Sequence, residues 1–293
     1  QDADSDGGEG KFYVWSMEEV CHVLGEERGR KFCAYYGITK QGNFEGKSIP
    51  HLLNGNPISE EFAQEREALY RHRASRMRLH LDDKILTAWN GLMVSAMCVL
   101  YRVTGEGEYL LAAQKAECFL AKNVMEDGVI YVGCRSGVRL EKGFLDDYAC
   151  MAAAYLSLYD VTAEVAWLMR AEEICKEAQV QFGDGKGGYF LYGTLNGDLI
   201  MRPKESYDGA LPSGNGVMAY CLVRLSQFRN RENDALTVRQ LAYLSKTAAE
   251  YPAGHTMFLI ALLYEMYPPQ KITVVMGDRD KDADRLAHVM AHM

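Results

Sequence analysis

The tripeptide Leu-Asp-Asp occurs twice, at 81–83 and 145–147. Each is followed by a long apolar run that closes on Leu-Tyr-x-Val-Thr, at 100–104 and 158–162. A fainter third copy aligns Asn90-Gly91-Leu92-Met93 with Asn215-Gly216-Val217-Met218, which sets Asp83 against Asp208 and Leu100 against Leu225. A chain that repeats itself this way folds as a series of similar units, each burying its apolar face on the next.

Each copy reads as a helical hairpin. Its first helix, as in 85–103 or 148–161, is apolar nearly all round and is therefore expected inside. Its second helix, as in 109–123, 166–180 and 234–249, is amphipathic and is expected to face water on one side. Residues 252–267 supply a fourth apolar helix, stopped by Pro268-Pro269. A further helix pair is predicted at 17–24 and 27–36, and Gly-rich stretches at 128–133 and 187–193 read as short β-hairpins. Inner apolar helices alternating with outer amphipathic ones predict an all-α-dominated fold, an (α/α) toroid. A tetratricopeptide array is disfavoured, because its repeat of about 34 residues is too short for the 64-residue spacing of Asp82 and Asp146. The expected organisation is one toroid over 1–270 and a strand–helix end piece at 271–293 of the same domain.

Net charge narrows the function classes. At −8 the chain lacks the basic surplus that nucleic-acid binding requires. No apolar run reaches the ~18 residues of a membrane span and no signal peptide opens the chain. Eight cysteines contain no C-x-x-C pair, so zinc is not expected and reduced, buried thiols in a cytoplasmic protein are. The opening Asp2-x-Asp4-x-Asp6-Gly7 imitates a calcium loop, but its twelfth position is Tyr13 where a bidentate Glu is required. It reads as a solvated acidic turn leading into a strand-like run at 12–15, and neither metal nor cofactor is expected.

The chemistry-bearing residues fall at the starts of the inner helices: LDDKILTAWNG (81–91), FLDDYA (144–149), SYDGALPSGNG (206–216) and PAGH (252–255). If the inner helices run parallel, these starts converge on one rim. A single Asp at a helix start is equally well an N-cap. Doubled acids beside aromatic rings and amides also suit a sugar, whose hydroxyls need polar partners and whose apolar face needs a ring. Paired carboxylates are what glycoside hydrolysis requires. The candidate acid/base residues are thus Asp82, Asp83, Asp146, Asp147 and Asp208. The candidate binding residues are Trp89, Asn90, Tyr148, Ser213, Asn215 and His255. A two-histidine epimerase mechanism has weaker support, since only His80 and His255 sit near this rim. Arg66, Arg71, Arg73, Arg76 and Arg78 share a predicted helix and read as a solvated or ion-paired face in preference to an anion site.

The motifs DADSDGGEGKFYVW (2–15), GNFEG (42–46), LDDKILTAWNGLM (81–93), FLDDYA and PSGN (212–215) resemble, in order and over essentially the whole chain, the spermatogenesis-associated protein 20-like family of thioredoxin-domain-containing proteins. The resemblance implies the toroid portion of such a protein, related to six-hairpin glycosidases and N-acylglucosamine 2-epimerases. It also implies that the thioredoxin-like part and the first helical hairpins precede this stretch. Two functions follow as expectations. One is a carbohydrate-active or carbohydrate-binding domain with glycosidase- or epimerase-like acid/base chemistry and a sugar ligand. The other is a non-catalytic scaffold attached to a thioredoxin-like domain. An incomplete ring is expected to bare apolar surface on its edge helix and to form a homodimer through that edge.

Overall fold

The computed structural model describes residues 4–5, 7–197, 199–230 and 234–270. The expected strand and helix at 271–293 lie outside the described residues. The chain divides into two compact units, 1–83 and 84–293.

The first unit opens with a two-residue hairpin, β1 (Asp4–Ser5) with β2 (Gly8–Glu9). Helices α1 (Met17–Leu24), α2 (Glu26–Tyr35) and α3 (Ala63–Ala74) follow. The α1 boundary is chemical. The Ser16 hydroxyl accepts the Glu19 N–H, and Gly25 with φ 80° turns the chain straight into α2. A small core of Trp15, Val20, Phe32, Tyr36, Phe62 and Leu69 fills this unit. The run at 12–15 does not form a strand. Tyr13 and Val14 both donate to the Gly10 carbonyl in a turn, and only Trp15 makes a β-bridge, to Ser48.

The second unit is the repeat. Inner helices α4 (Thr87–Thr104), α6 (Leu145–Thr162), α8 (Gly214–Phe228) and α10 (Thr256–Met266) alternate with outer helices α5 (Gly107–Asn123), α7 (Val165–Phe182) and α9 (Ala235–Glu250). Inner helices pack in series, α4 on α6, α6 on α8 and α8 on α10. Among the described residues this alternation is an α/α toroid arrangement, an arc of four inner helices backed by three outer ones. The outer helices bury one stripe at helical spacing, as Ala113, Glu117 and Leu120 do in α5. Helix α6 is enclosed on nearly every side, and Ala149, Ala152 and Ala154 let its neighbours come close. Gly91 of α4 serves the same approach, since a Cβ there would sit 2.9 Å from the Cys150 carbonyl oxygen.

Helices α4 and α6 are both 18 residues long and both end on the repeated Leu-Tyr-x-Val-Thr. Measured by those ends the copies are 58 residues apart, six fewer than the Leu-Asp-Asp motifs. The first Leu-Asp-Asp therefore lies in coil ahead of α4, whereas the second opens α6. Between the first motif and its helix runs β3 (Ile85–Leu86).

The predicted hairpin around 128–133 exists, as β4 (Met125–Glu126) with β5 (Val129–Ile130). Strands β6 (Gly133–Arg135) and β7 (Val138–Arg139) form a second, and β6 also pairs with β3. Residues 187–193 do not make a strand pair. Tyr189 makes a lone β-bridge with Gly183, Phe190 and Leu191 donate to the Phe182 and Pro203 carbonyls, Asn215 engages both the N–H and the carbonyl of Tyr189, and Gln240 accepts the Gly188 N–H.

At the ends of the arc, α4 exposes Trp89, Met93, Leu100 and Val103 along one stripe, and α10 exposes Ile260, Leu263 and Met266. Among the described residues no helix is long and apolar enough to cross a membrane.

Candidate functional site

The first turn of a helix has N–H groups with no intrahelical acceptor. In the second unit, aspartates of one inner helix or its leading loop satisfy those of the neighbouring inner helices. Asp147, at the third position of α6, accepts the Phe144 N–H with Oδ2 (2.9 Å) and the Ala88 N–H of α4 with Oδ1 (3.1 Å). Asp146 accepts the Gly214 N–H of α8 with Oδ1 (2.9 Å). Asp208 accepts the Ser213 N–H with Oδ1 (2.9 Å), and the Met257 N–H (2.8 Å) and Thr256 hydroxyl (3.0 Å) of α10 with Oδ2. Three carboxylates thus stitch the starts of four helices, each placed where the helix dipole favours negative charge.

The stitching leaves a hollow of about 470 Å3 between the starts of α6 and α8 and the loop 205–213. Asp146 lines it, half-buried, with Glu205, Ser206, Tyr207 and Ser213. Gly214 permits the approach of Asp146, because a Cβ there would stand 2.4 Å from Oδ1. The second oxygen of Asp146 accepts no hydrogen bond among the described residues. Burial raises the Asp146 carboxyl above the usual range, and nearby Glu205 adds to the rise against the Gly214 N–H. Tyr207 is exposed at the hollow and stacks on Tyr251, ring centroids 6.2 Å apart and planes 9° from parallel.

The other expected residues are placed as follows. Asp147 is buried, and burial lifts its carboxyl to about 7 against its two N–H donors. Tyr148 points into the core, where its ring packs edge-on to Phe182 and its hydroxyl accepts the Ile130 N–H. Asn215 is fully enclosed, accepting from Tyr189 and Gln240 and donating to the carbonyls of Tyr189 and Glu205. Ser213 caps α8 by accepting the Gly216 N–H and donates to the Ser206 carbonyl. His255 is buried with Nδ1 2.9 Å from the Tyr251 carbonyl, so that nitrogen carries the hydrogen. Its Nε2 then accepts from the Ser206 hydroxyl at 3.3 Å, which reaches the hollow in its place. Asn90 donates to the Leu86 carbonyl within α4, and Trp89 lies on the exposed stripe of that helix, outside the lining of the hollow. Asp82 and Asp83 are exposed in the first unit. Among the described residues no cluster of three or more His, Cys, Asp or Glu could hold a metal ion.

The hollow therefore gathers Asp146, Ser213 and Asn215 from the expected set and adds Glu205, Ser206 and Tyr207. The added three lie in coil, where no periodicity marks a functional face. Their one signal in the sequence is adjacency to Asp208.

No family model matches the chain. Among solved structures, the GH76 alpha-mannanase BT2949 of Bacteroides thetaiotaomicron is similar at a TM-score of 0.49 and 15% identity, covering 96% of this chain and 70% of that one. Cellobiose 2-epimerase from Bacillus thermoamylovorans gives a TM-score of 0.45 at 18% identity, covering 56% and 45%. These are distant likenesses, and the toroid arrangement rests on the chain's own helices. Sequence similarity is closer. Spermatogenesis-associated protein 20 of Homo sapiens is 31% identical over 323 residues, covering 95% of this chain and 41% of that protein. The Mus musculus protein of the same name is 31% identical over 268 residues, covering 77% and 34%. An uncharacterised Caenorhabditis elegans protein is 28% identical over 260 residues, covering 76% and 36%. The chain spans about two fifths or less of the length of these relatives, and over that stretch its sequence is similar to the spermatogenesis-associated protein 20-like family.

Proposed function

We propose that the hollow at the starts of α6 and α8 takes a polyhydroxylated ligand of the sugar class, with Asp146 as proton donor and Glu205 as its carboxylate partner. The observation that carries this reading is the state of Asp146. One oxygen is fixed by Gly214, the other is left to the hollow, and the carboxyl is raised so that it keeps its proton to higher pH. That is the condition of a general acid, and an exposed second carboxylate beside it suits a base or a charge stabiliser. Tyr207, backed by Tyr251, offers a ring face to the apolar side of a sugar, and Ser206 a hydroxyl to its polar side. A volume of about 470 Å3 falls in the range of small-molecule sites. Proton transfer to a glycosidic oxygen fits this pair better than epimerisation, because both nitrogens of His255 are engaged by protein groups.

The test is saturation-transfer NMR with a panel of monosaccharides and disaccharides on wild type, Asp146→Asn and Glu205→Gln. Asparagine keeps an oxygen for the Gly214 N–H while removing the acid. Transfer to at least one sugar in wild type, reduced in both variants, is the expected result; no transfer to any sugar overturns the reading.

A second reading has its own observation. Asp147, Asp208, Asn215 and Ser213 all engage backbone groups, as parts of a scaffold would. On that reading the domain is a non-catalytic platform within a longer protein bearing a thioredoxin-like domain. It gains from the same experiment if no sugar binds while removal of these side chains destabilises the fold.

A further inference from the structure

The arginines of α3 do not share one fate. Arg71 donates to Glu67, Arg76 to Glu19 and to the carbonyls of Phe12 and Val14, and Arg66 to the Tyr36 hydroxyl and the Ser59 carbonyl. Arg73 has no hydrogen-bond acceptor among the described residues. Its guanidinium lies 5.9, 5.7 and 5.6 Å from the ring centroids of Phe12, Tyr13 and Tyr70, cation–π contacts that take none of its N–H groups in a hydrogen bond. The N–H donors at its edge stay available, and the side chain is half-buried.

Arg73 lines a cavity of about 450 Å3 contained in the first unit. Its walls are mostly apolar and aromatic, including Trp15, Phe32, Tyr36, Ile38 and Leu69. Arg66 and Tyr70 reach it from the same face of α3, two turns and one turn away from Arg73 respectively. The one carboxylate in the lining, Glu67, is paired with Arg71 at 2.8 Å. The cavity thus holds a surplus of positive charge inside a chain whose net charge is −8.

We propose that this cavity binds a small planar, apolar molecule carrying a single carboxylate, with Arg73 as its anion anchor. A guanidinium with free edge donors meets a carboxylate in a two-pronged fork, and the aromatic walls receive the flat body. The site is independent of the hollow at α6 and α8 and of the sugar reading.

Isothermal titration of the full chain with 2-naphthoate and with its neutral isostere 2-naphthamide tests the assignment. Wild type is expected to bind naphthoate at least tenfold more tightly than naphthamide. Arg73→Gln abolishes that preference, and Arg78→Gln, an exposed arginine outside the cavity lining, preserves it. Equal affinity of the two compounds for wild type, no naphthoate binding at millimolar concentration, or an equal loss in Arg78→Gln overturns the proposal. Should Arg73→Gln fail to fold, the wild-type comparison of the two compounds decides alone.

Discussion

Residues 81–83 and 145–147 are the same tripeptide with different fates. The first is exposed coil in the first unit; the second is the opening turn of a helix that has no exposed residue. What differs is the chain that follows. Ile85 and Leu86 leave the first copy as β3, paired with Cys134 and Gly133, and the helix starts only at Thr87. After the second copy the helix is already under way, so Asp146 and Asp147 stand beside the first-turn N–H groups of α8 and α4. A carboxylate pair acquires a role from the donors that fold brings to it, and the motif alone does not supply them.

The comparison breaks most visibly at Asp147. Replacing it with alanine leaves the Ala88 and Phe144 N–H groups without their acceptor, and unsatisfied buried donors cost ~1–3 kcal/mol each. We expect Asp147→Ala to lower stability by about 3 kcal/mol, read from the urea midpoint; a loss below about 1 kcal/mol would remove the stitching role.

Next comes Gly214→Ala, whose Cβ would stand 2.4 Å from Asp146 Oδ1 and 3.0 Å from Leu145 Cγ. Crowding of this kind costs ~1–3 kcal/mol. In an Asp146→Ala background part of that cost is expected to vanish, and a double-mutant cycle showing strict additivity would deny the contact.

Titration sharpens the contrast further. Burial lifts the Asp147 carboxyl to about 7, whereas the unfolded chain ionises it near ~3.9. The folded state keeps a proton that the unfolded state releases. Its contribution to stability is complete below the unfolded value and is lost as the pH rises to about 7. The melting-temperature advantage of wild type over Asp147→Asn should therefore be larger at about pH 5 than at about pH 8. A constant or growing advantage contradicts burial as the governing cause.

The smallest effect belongs to the first copy. Exposed Asp83 is expected to tolerate alanine within about 0.5 kcal/mol, by the same urea assay; a cost approaching that of Asp147→Ala would mean that the two copies are equivalent after all.

Much of the architecture was legible in the residues. Apolar spacing located α4, α6, α10 and the three outer helices, and the predicted pair at 17–24 and 27–36 is α1 and α2. Convergence of acids at the start of α6 was also legible. Their orientation was not, because the donors they meet are 59 and 68 residues away in the chain. Equivalence of the two Leu-Asp-Asp motifs was misleading, since helix ends repeat at 58 residues and the motifs at 64. Tyr148 shows a third limit. It follows the acids directly, but each helical residue turns ~100°, which carries its ring from the rim into the core. Glu205 and Tyr207 stayed hidden in irregular backbone, where side-chain direction follows from tertiary contacts alone.

The doublet at 146–147 is a clasp that works in both directions along the polypeptide. Asp147 grips a turn made 59 residues earlier, while Asp146 waits for one that emerges 68 residues later. During synthesis the backward grip can close as soon as α6 leaves the ribosome, and the forward one only when α8 follows. A nascent chain halted between them would carry an acid without its amide, and the hollow that Asp146 helps to line would not yet exist.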